Sequence, residues 1–271
     1  MLGTARRIYT GTRKRHDQLW NTYVMRPFAS LVVAVAARTP VTPNQLTLLN
    51  LAIFLVGAAL FMALPDQRGA LLAVAMLELS YLFDCADGML ARHKKLASKQ
   101  GHLFDFFTDE LKATLLAGAL SIHLYQTGGL SFDPSAIGVV RWAPGDARFL
   151  IAGVAAVAIV ASAISLTNFV RRPELSGRET TVDAFYETQS DQAPRSLGRR
   201  IAGLVLMFLR FLNHYPSHIW IFAIAGRLDV FFWMYAALNL LYLGKGWLGL
   251  LVRFGRPGPP PGEAHETTKA P

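Results

Sequence analysis

Six apolar stretches divide the middle of the chain, at residues 46–64, 70–90, 103–125, 149–170, 201–225 and 229–252. Each is near the ~20 residues that a helix needs to cross a bilayer. The polar positions fall between them. Residues 65–69 form a tight turn, 126–148 a longer loop with Gly, Pro and Asp, and 171–200 a polar loop. The fifth stretch is interrupted by Arg210 and by the run from His214 to His218, so it should kink at Pro216 or begin late. Residues 5–38 interleave Arg6, Arg7, Arg13 and Arg15 with Trp20, Tyr23 and Phe28, the pattern of one or two interfacial amphipathic helices. The apolar run 31–37 is too short for a secretory leader. The tail from Gly255 is rich in Pro and Gly and reads as disordered.

This pattern predicts an all-α, polytopic integral membrane protein. An interfacial segment (1–45) precedes a six-span membrane domain (46–252) and a cytoplasmic tail (253–271). Composition agrees, since 52% of the 271 residues are hydrophobic and 17% charged. The net charge of +9 raises the question of nucleic acid, and its distribution answers it. Twenty Lys and Arg lie in 1–45, 91–104, 171–200 and 253–271, and only Arg68, Arg141, Arg148 and Arg227 lie in the alternate connections. That asymmetry places both termini on the cytoplasmic side, in a bacterial inner membrane. Basic segments beside the membrane attract anionic lipid headgroups rather than nucleic acid. The single cysteine, Cys85, excludes an internal disulfide and reads as a packing residue.

Four aspartates interrupt the apolar pattern at the ends of the second and third stretches. Asp84 and Asp87 are i and i+3, and Asp105 and Asp109 are i and i+4, so each pair projects from one helix face. Carboxylates at membrane depth cost several kcal/mol unless paired or bound to a cation. Two such faces turned together make an oxygen-rich site suited to Mg²⁺ or Mn²⁺. Gly88 lets a nucleotide approach the backbone, Ala91 leaves room one turn on, and Arg92 has the chemistry to hold a phosphate.

The spacing D-x2-D-G-x2-A-R-x8-G-x3-D-x3-D, carried by Asp84, Asp87, Gly88, Ala91, Arg92, Gly101, Asp105 and Asp109, resembles the signature of the CDP-alcohol phosphotransferase family at every fixed position. The segment Thr42-Pro43-Asn44-Gln45-Leu46-Thr47 also resembles the part of that family preceding its first span. The resemblance implies that Asp84, Asp87, Asp105 and Asp109 bind one or two divalent ions on the pyrophosphate of a CDP-linked substrate. It implies that Asp109 is the base on an acceptor hydroxyl, and that Asn44, Gly88, Ala91, Arg92 and Gly101 serve the CDP side. The expected reaction moves a substituted phosphoryl group, foremost phosphatidyl from CDP-diacylglycerol, to an alcohol with release of CMP. A CDP-polyol donor is the alternative, because Asn21 to Pro27 resembles members that join inositol phosphates. A Mg²⁺ transporter or a non-catalytic lipid-binding protein is a third reading, which the intact glycines and Arg92 disfavour. The expected partners are the CDP-linked donor, the alcohol acceptor, membrane lipids and, as an open alternative, a second copy of the chain.

Helical phase separates the other charges within the membrane. Lys112 stays within about 40° of the Asp105/Asp109 face, whereas Glu78 points about 150° away from the Asp84/Asp87 face. Lys112 should therefore border the site, binding an acceptor anion or offsetting the aspartates. Glu78 should face another helix or a subunit. Arg171 and Arg172 are further candidates for an anionic acceptor, with Arg178 beyond them. Glu110 departs from the family, many of whose members carry a basic residue after the last aspartate. His123, His214 and His218 have no metal-like spacing and read as packing or interfacial residues.

Overall fold

The computed structural model describes residues 2–12, 17–128, 142–172, 203, 208–209 and 211–254. The described residues contain helices and turns and no strand. The expected 171–200 loop, the 126–148 loop and the tail from Gly255 lie largely or wholly outside them, as do Arg178 and Arg210.

Among the described residues the α-helices in order are α1 (Leu2–Gly11), α2 (Arg26–Ala36), α3 (Pro43–Ala63), α4 (Gln67–His93), α5 (Lys99–Thr127), α6 (Ala147–Arg171), α7 (Ile219–Ile224) and α8 (Leu228–Phe254). Their starts have local causes. Thr42 caps α3 with a capping box to Gln45, and Pro43 occupies the first turn, where its missing N–H costs nothing. Asp66 accepts from Gly69 N and Ser98 from Gly101 N, which starts α4 and α5. The turn expected over 65–69 is therefore shorter, because Asp66 is the cap and the helix begins at Gln67.

Among the described residues, four of the expected crossings are helices long and apolar enough to span a membrane: α3, α4, α6 and Leu228–Val252 of α8. α5 is 29 residues long, but Asp105, Asp109, Glu110 and Lys112 dilute its apolar character. In the fifth stretch, helical residues 211–213 give way to a 3₁₀ turn (Tyr215–Ser217) and then α7. The break falls at Pro216, whose ring cannot continue a helix.

α3 and α4 pack along their length, α5 lies against α3 and α6, and α8 packs on α6. Phe54, Phe61, Leu77, Leu116, Leu120 and Phe231 are fully buried where these helices meet. A second apolar cluster ties α1 and α2 to the end of α4 through Ile8, Val33, Met89 and Leu90. Cys85 packs against that cluster. α5 and α6 approach closely because Gly153 has no side chain; a Cβ there would overlap the Ser121 hydroxyl. The outward faces remain apolar, with Leu55, Val56, Ile151, Val154, Leu248 and Leu251 exposed as lipid-facing residues would be.

Between α1 and α2, Asn21, Thr22 and Met25 are buried against the bundle while Leu19 and Tyr23 are exposed. Asn21–Met25 forms a π-helical turn, and Asp17 pairs with the Arg26 guanidinium. Tyr81 of α4 donates to Asn21 at 2.7 Å and lies 2.7 Å from His214, whose other ring nitrogen is 2.6 Å from Ser217 Oγ. Trp20 stacks on Trp220 at 5.7 Å.

Candidate active site

α4 ends and α5 begins at the same end of the bundle, joined by residues 94–98. Lys94 closes this end by donating to Thr39 O at 2.7 Å and Val41 O at 2.8 Å. The signature residues of both helices are thereby brought to one place. Asp84, Asp105 and Asp109 each offer a carboxylate oxygen, and these oxygens lie within 4.8 Å of one another. Asp87 stands outside that trio. It is buried, and its Oδ2 accepts from Thr47 at 2.6 Å. Asp109 is half exposed, which leaves the trio open on one side.

α3 supplies a polar rail along this face. Thr47 holds Asp87, and one turn further Asn50 donates to Asp84 Oδ1 at 2.8 Å. Ser80 donates to Asn50 Oδ1 at 2.5 Å and so fixes which way the amide points. Sequence reasoning missed Thr47, Asn50 and Ser80 as site residues. The signal was present as a polar i, i+3, i+6 series, Asn44, Thr47 and Asn50, in an otherwise apolar helix.

Lys112 lies where helical phase puts it, with its ammonium 2.7 Å from Asp84 Oδ1, 2.7 Å from Asp109 Oδ1 and 3.3 Å from Asn50 Oδ1. Its side chain is 2% exposed. Glu78 is turned away from the aspartates toward Trp20 of the N-terminal segment. That segment is the element Glu78 faces.

The residues expected on the CDP side line the same end. The Arg92 guanidinium lies over Gly88, where an added Cβ would be 3.5 Å from Nη1. A Cβ there would be in ordinary van der Waals contact with that guanidinium. Ala91 is half-buried beside Gly88. Gly101 has Asn44 close by, since a Cβ on Gly101 would sit 3.2 Å from Asn44 Oδ1. The starts of α3 and α5 thus meet at the mouth of the site.

Glu110 points to α6, where its Oε1 accepts from Asn168 at 2.8 Å. Arg171 places its guanidinium 5.1 Å from the Phe106 ring centre, and Arg172 is exposed at the end of α6. The histidines lie outside the carboxylate trio. His123 Nδ1 is 3.0 Å from Phe61 O, His214 bridges Tyr81 and Ser217, and His218 sits among Phe211, Phe222 and Phe231.

The donor set is made of oxygen alone, which fits a hard divalent cation and disfavours thiophilic metals. The family model for CDP-alcohol phosphatidyltransferase matches residues 40–225. The chain belongs to this family. Among curated proteins, none matches it. Membership carries the reaction class: an integral membrane enzyme that transfers a phosphoryl-linked alcohol from a CDP-alcohol to a second alcohol. The family generally uses a divalent metal.

Proposed function

We propose that this enzyme transfers a phosphatidyl group from CDP-diacylglycerol to an alcohol, releasing CMP, at the cytoplasmic face of a bacterial inner membrane. The observation that carries the reading is the carboxylate trio of Asp84, Asp105 and Asp109 at the mouth of the α4–α5 pair, beside Gly88 and Arg92. An apolar bundle with lipid-facing helices suits a donor whose diacyl tail stays in the bilayer while its head reaches the bundle end. Six spans, with α5 and the interrupted fifth segment as the two polar ones, would put both termini on the cytoplasmic side. The membrane domain then covers 46–252, between the N-terminal segment and the tail.

Asp84, Asp105 and Asp109 would hold a divalent ion, with Asp87 joining on the side facing Thr47. When bound, Mg²⁺ or Mn²⁺ neutralises charge on the transferring phosphoryl group and makes CMP a better leaving group. Arg92 holds a phosphate of the donor by charge-assisted hydrogen bonds. Gly88 leaves the space that a nucleotide needs, and Asn44 with Gly101 closes the adjoining wall. Asp109 accepts the proton of the acceptor hydroxyl. Its exposure suits that role, because the acceptor must reach it from solvent while the donor occupies the α4 side. In-line transfer requires the two on opposite sides of the phosphorus.

A release assay tests the donor class. The purified protein with Mn²⁺ and an alcohol panel should liberate CMP from CDP-diacylglycerol. Release from a CDP-polyol alone would reassign the donor, and release from neither would remove the enzymatic reading.

A further inference from the structure

We propose that Tyr81 and His214 are positioning residues for the transfer, on the reading above that the carboxylate trio is the reaction centre. Through them the N-terminal segment holds the break in the fifth segment, and with it Tyr215, against α4 beside that centre.

The sense of each hydrogen bond follows from the far end of the chain. Asp17, paired with Arg26, can only accept. The Asn21 amide nitrogen therefore donates to Asp17 Oδ1 at 3.1 Å, which turns the Asn21 carbonyl oxygen toward Tyr81. Tyr81 gives its one proton to that oxygen at 2.7 Å. The Tyr81 oxygen can then only accept from His214, so His214 Nε2, 2.7 Å away, carries the proton of the neutral imidazole. Nδ1 is left bare and accepts from Ser217 Oγ at 2.6 Å. The bonds thus run in one sense from the 3₁₀ turn (Tyr215–Ser217), across α4, to the ion pair ahead of α2. Each polarises the next, so the chain acts as a unit. The stack of Trp20 on Trp220 joins the same two parts of the molecule.

This tie is placed to act on the reaction. Tyr81 lies one helical turn before Asp84 on α4. Tyr215 follows His214 directly and stands near enough to Lys112, Asp84 and Asp109 to sense their charges. Pro216 interrupts the helical hydrogen-bond ladder at this point, so side chains must set how the turn sits. Gly88 and Arg92, on the proposed donor side, lie further along α4 and take no part in the chain. Loosening it should therefore disturb the geometry of transfer more than the binding of the CDP donor. A misplacement of about 1 Å can cost ~10²-fold in rate.

The test is a kinetic split in the full-length protein in detergent. CMP release is followed with Mn²⁺, the alcohol panel and CDP-diacylglycerol, or a CDP-polyol if the wild-type chain uses that instead. Tyr81→Phe removes one hydroxyl and nothing else. It should lower kcat about tenfold or more while KM for the donor stays within about twofold of wild type. His214→Leu should do the same, and His214→Gln, whose amide can still donate to Tyr81, should restore most of kcat. The double variant should be no slower than the slower single one, because both break the same chain. Folded Tyr81→Phe with wild-type kcat, whatever its Tm, overturns the proposal and leaves the reaction centre standing. Equal losses in folded His214→Gln and His214→Leu overturn it too. Should His214→Leu not fold, Tyr81→Phe alone decides. Wild-type release from neither donor overturns both the proposal and the reading of the trio on which it rests.

Discussion

The Thr47 hydroxyl donates to Asp87 Oδ2 across 2.6 Å and so ties α3 to the signature face of α4. Both side chains are nearly inaccessible, at 3% and 4% exposure. A hydrogen bond to a buried carboxylate contributes about 1.5–3 kcal/mol. Thr47→Val should therefore lower kcat/KM for the CDP donor by about tenfold or more, while Thr47→Ser keeps most of it. Steady-state CMP release decides, and a Val variant with wild-type kinetics would show that Asp87 needs no such anchor.

Asp109 is the proposed base. Removing a base costs ~10²–10⁴-fold in rate. Asp109→Asn should lose turnover by that amount yet still bind the CDP donor, whereas Asp84→Asn, which removes the negative charge facing Lys112 and a proposed ligand of the ion, should lose both. Retention of more than about a tenth of wild-type kcat in Asp109→Asn at saturating metal would place the base elsewhere.

Packing of α5 on α6 depends on Gly153, because a Cβ there would overlap the Ser121 side chain. Ser121 is buried and donates to Phe149 O at 3.2 Å, so it has little room to yield. Gly153→Ala should destabilise the folded protein by about 1–3 kcal/mol. Thermal unfolding in detergent reads this as a lower Tm, and an unchanged Tm would mean that the two helices can separate freely.

The aspartates and Lys112 were legible in the sequence because a charge in an apolar helix needs a partner, and helical phase tells which face it occupies. The same phase argument turned Glu78 away from the site. Thr47, Asn50 and Ser80 were harder to see, since neutral polar residues in a span also satisfy themselves by local hydrogen bonds. The network of Asn21, Tyr81 and His214 was not legible. Its partners are 60 and 133 residues apart, and no periodicity links them. Among the described residues four helices are strongly apolar; α5 spends its polar residues on the site, and much of the fifth segment lies outside the described residues.

The proposed orientation rests on basic residues rather than on the bundle. In the six-span topology expected from the sequence, twenty Lys and Arg would flank one side and four the other. A Gly262→Cys variant in a Cys85→Ser background should be protected from an impermeant thiol reagent in intact cells and labelled after lysis. Labelling in intact cells would invert the topology and with it the side on which the site opens.

Metal-dependent release of CMP is the defining property of the proposed reaction. Purified protein incubated with CDP-diacylglycerol, an alcohol panel and Mn²⁺ should liberate CMP. EDTA should abolish release and added Mn²⁺ restore it, and Asp105→Asn should show none while unfolding with a cooperative transition like that of the wild-type chain. Near-normal CMP release in EDTA, or from folded Asp105→Asn, would contradict a reaction centred on the carboxylates of α4 and α5.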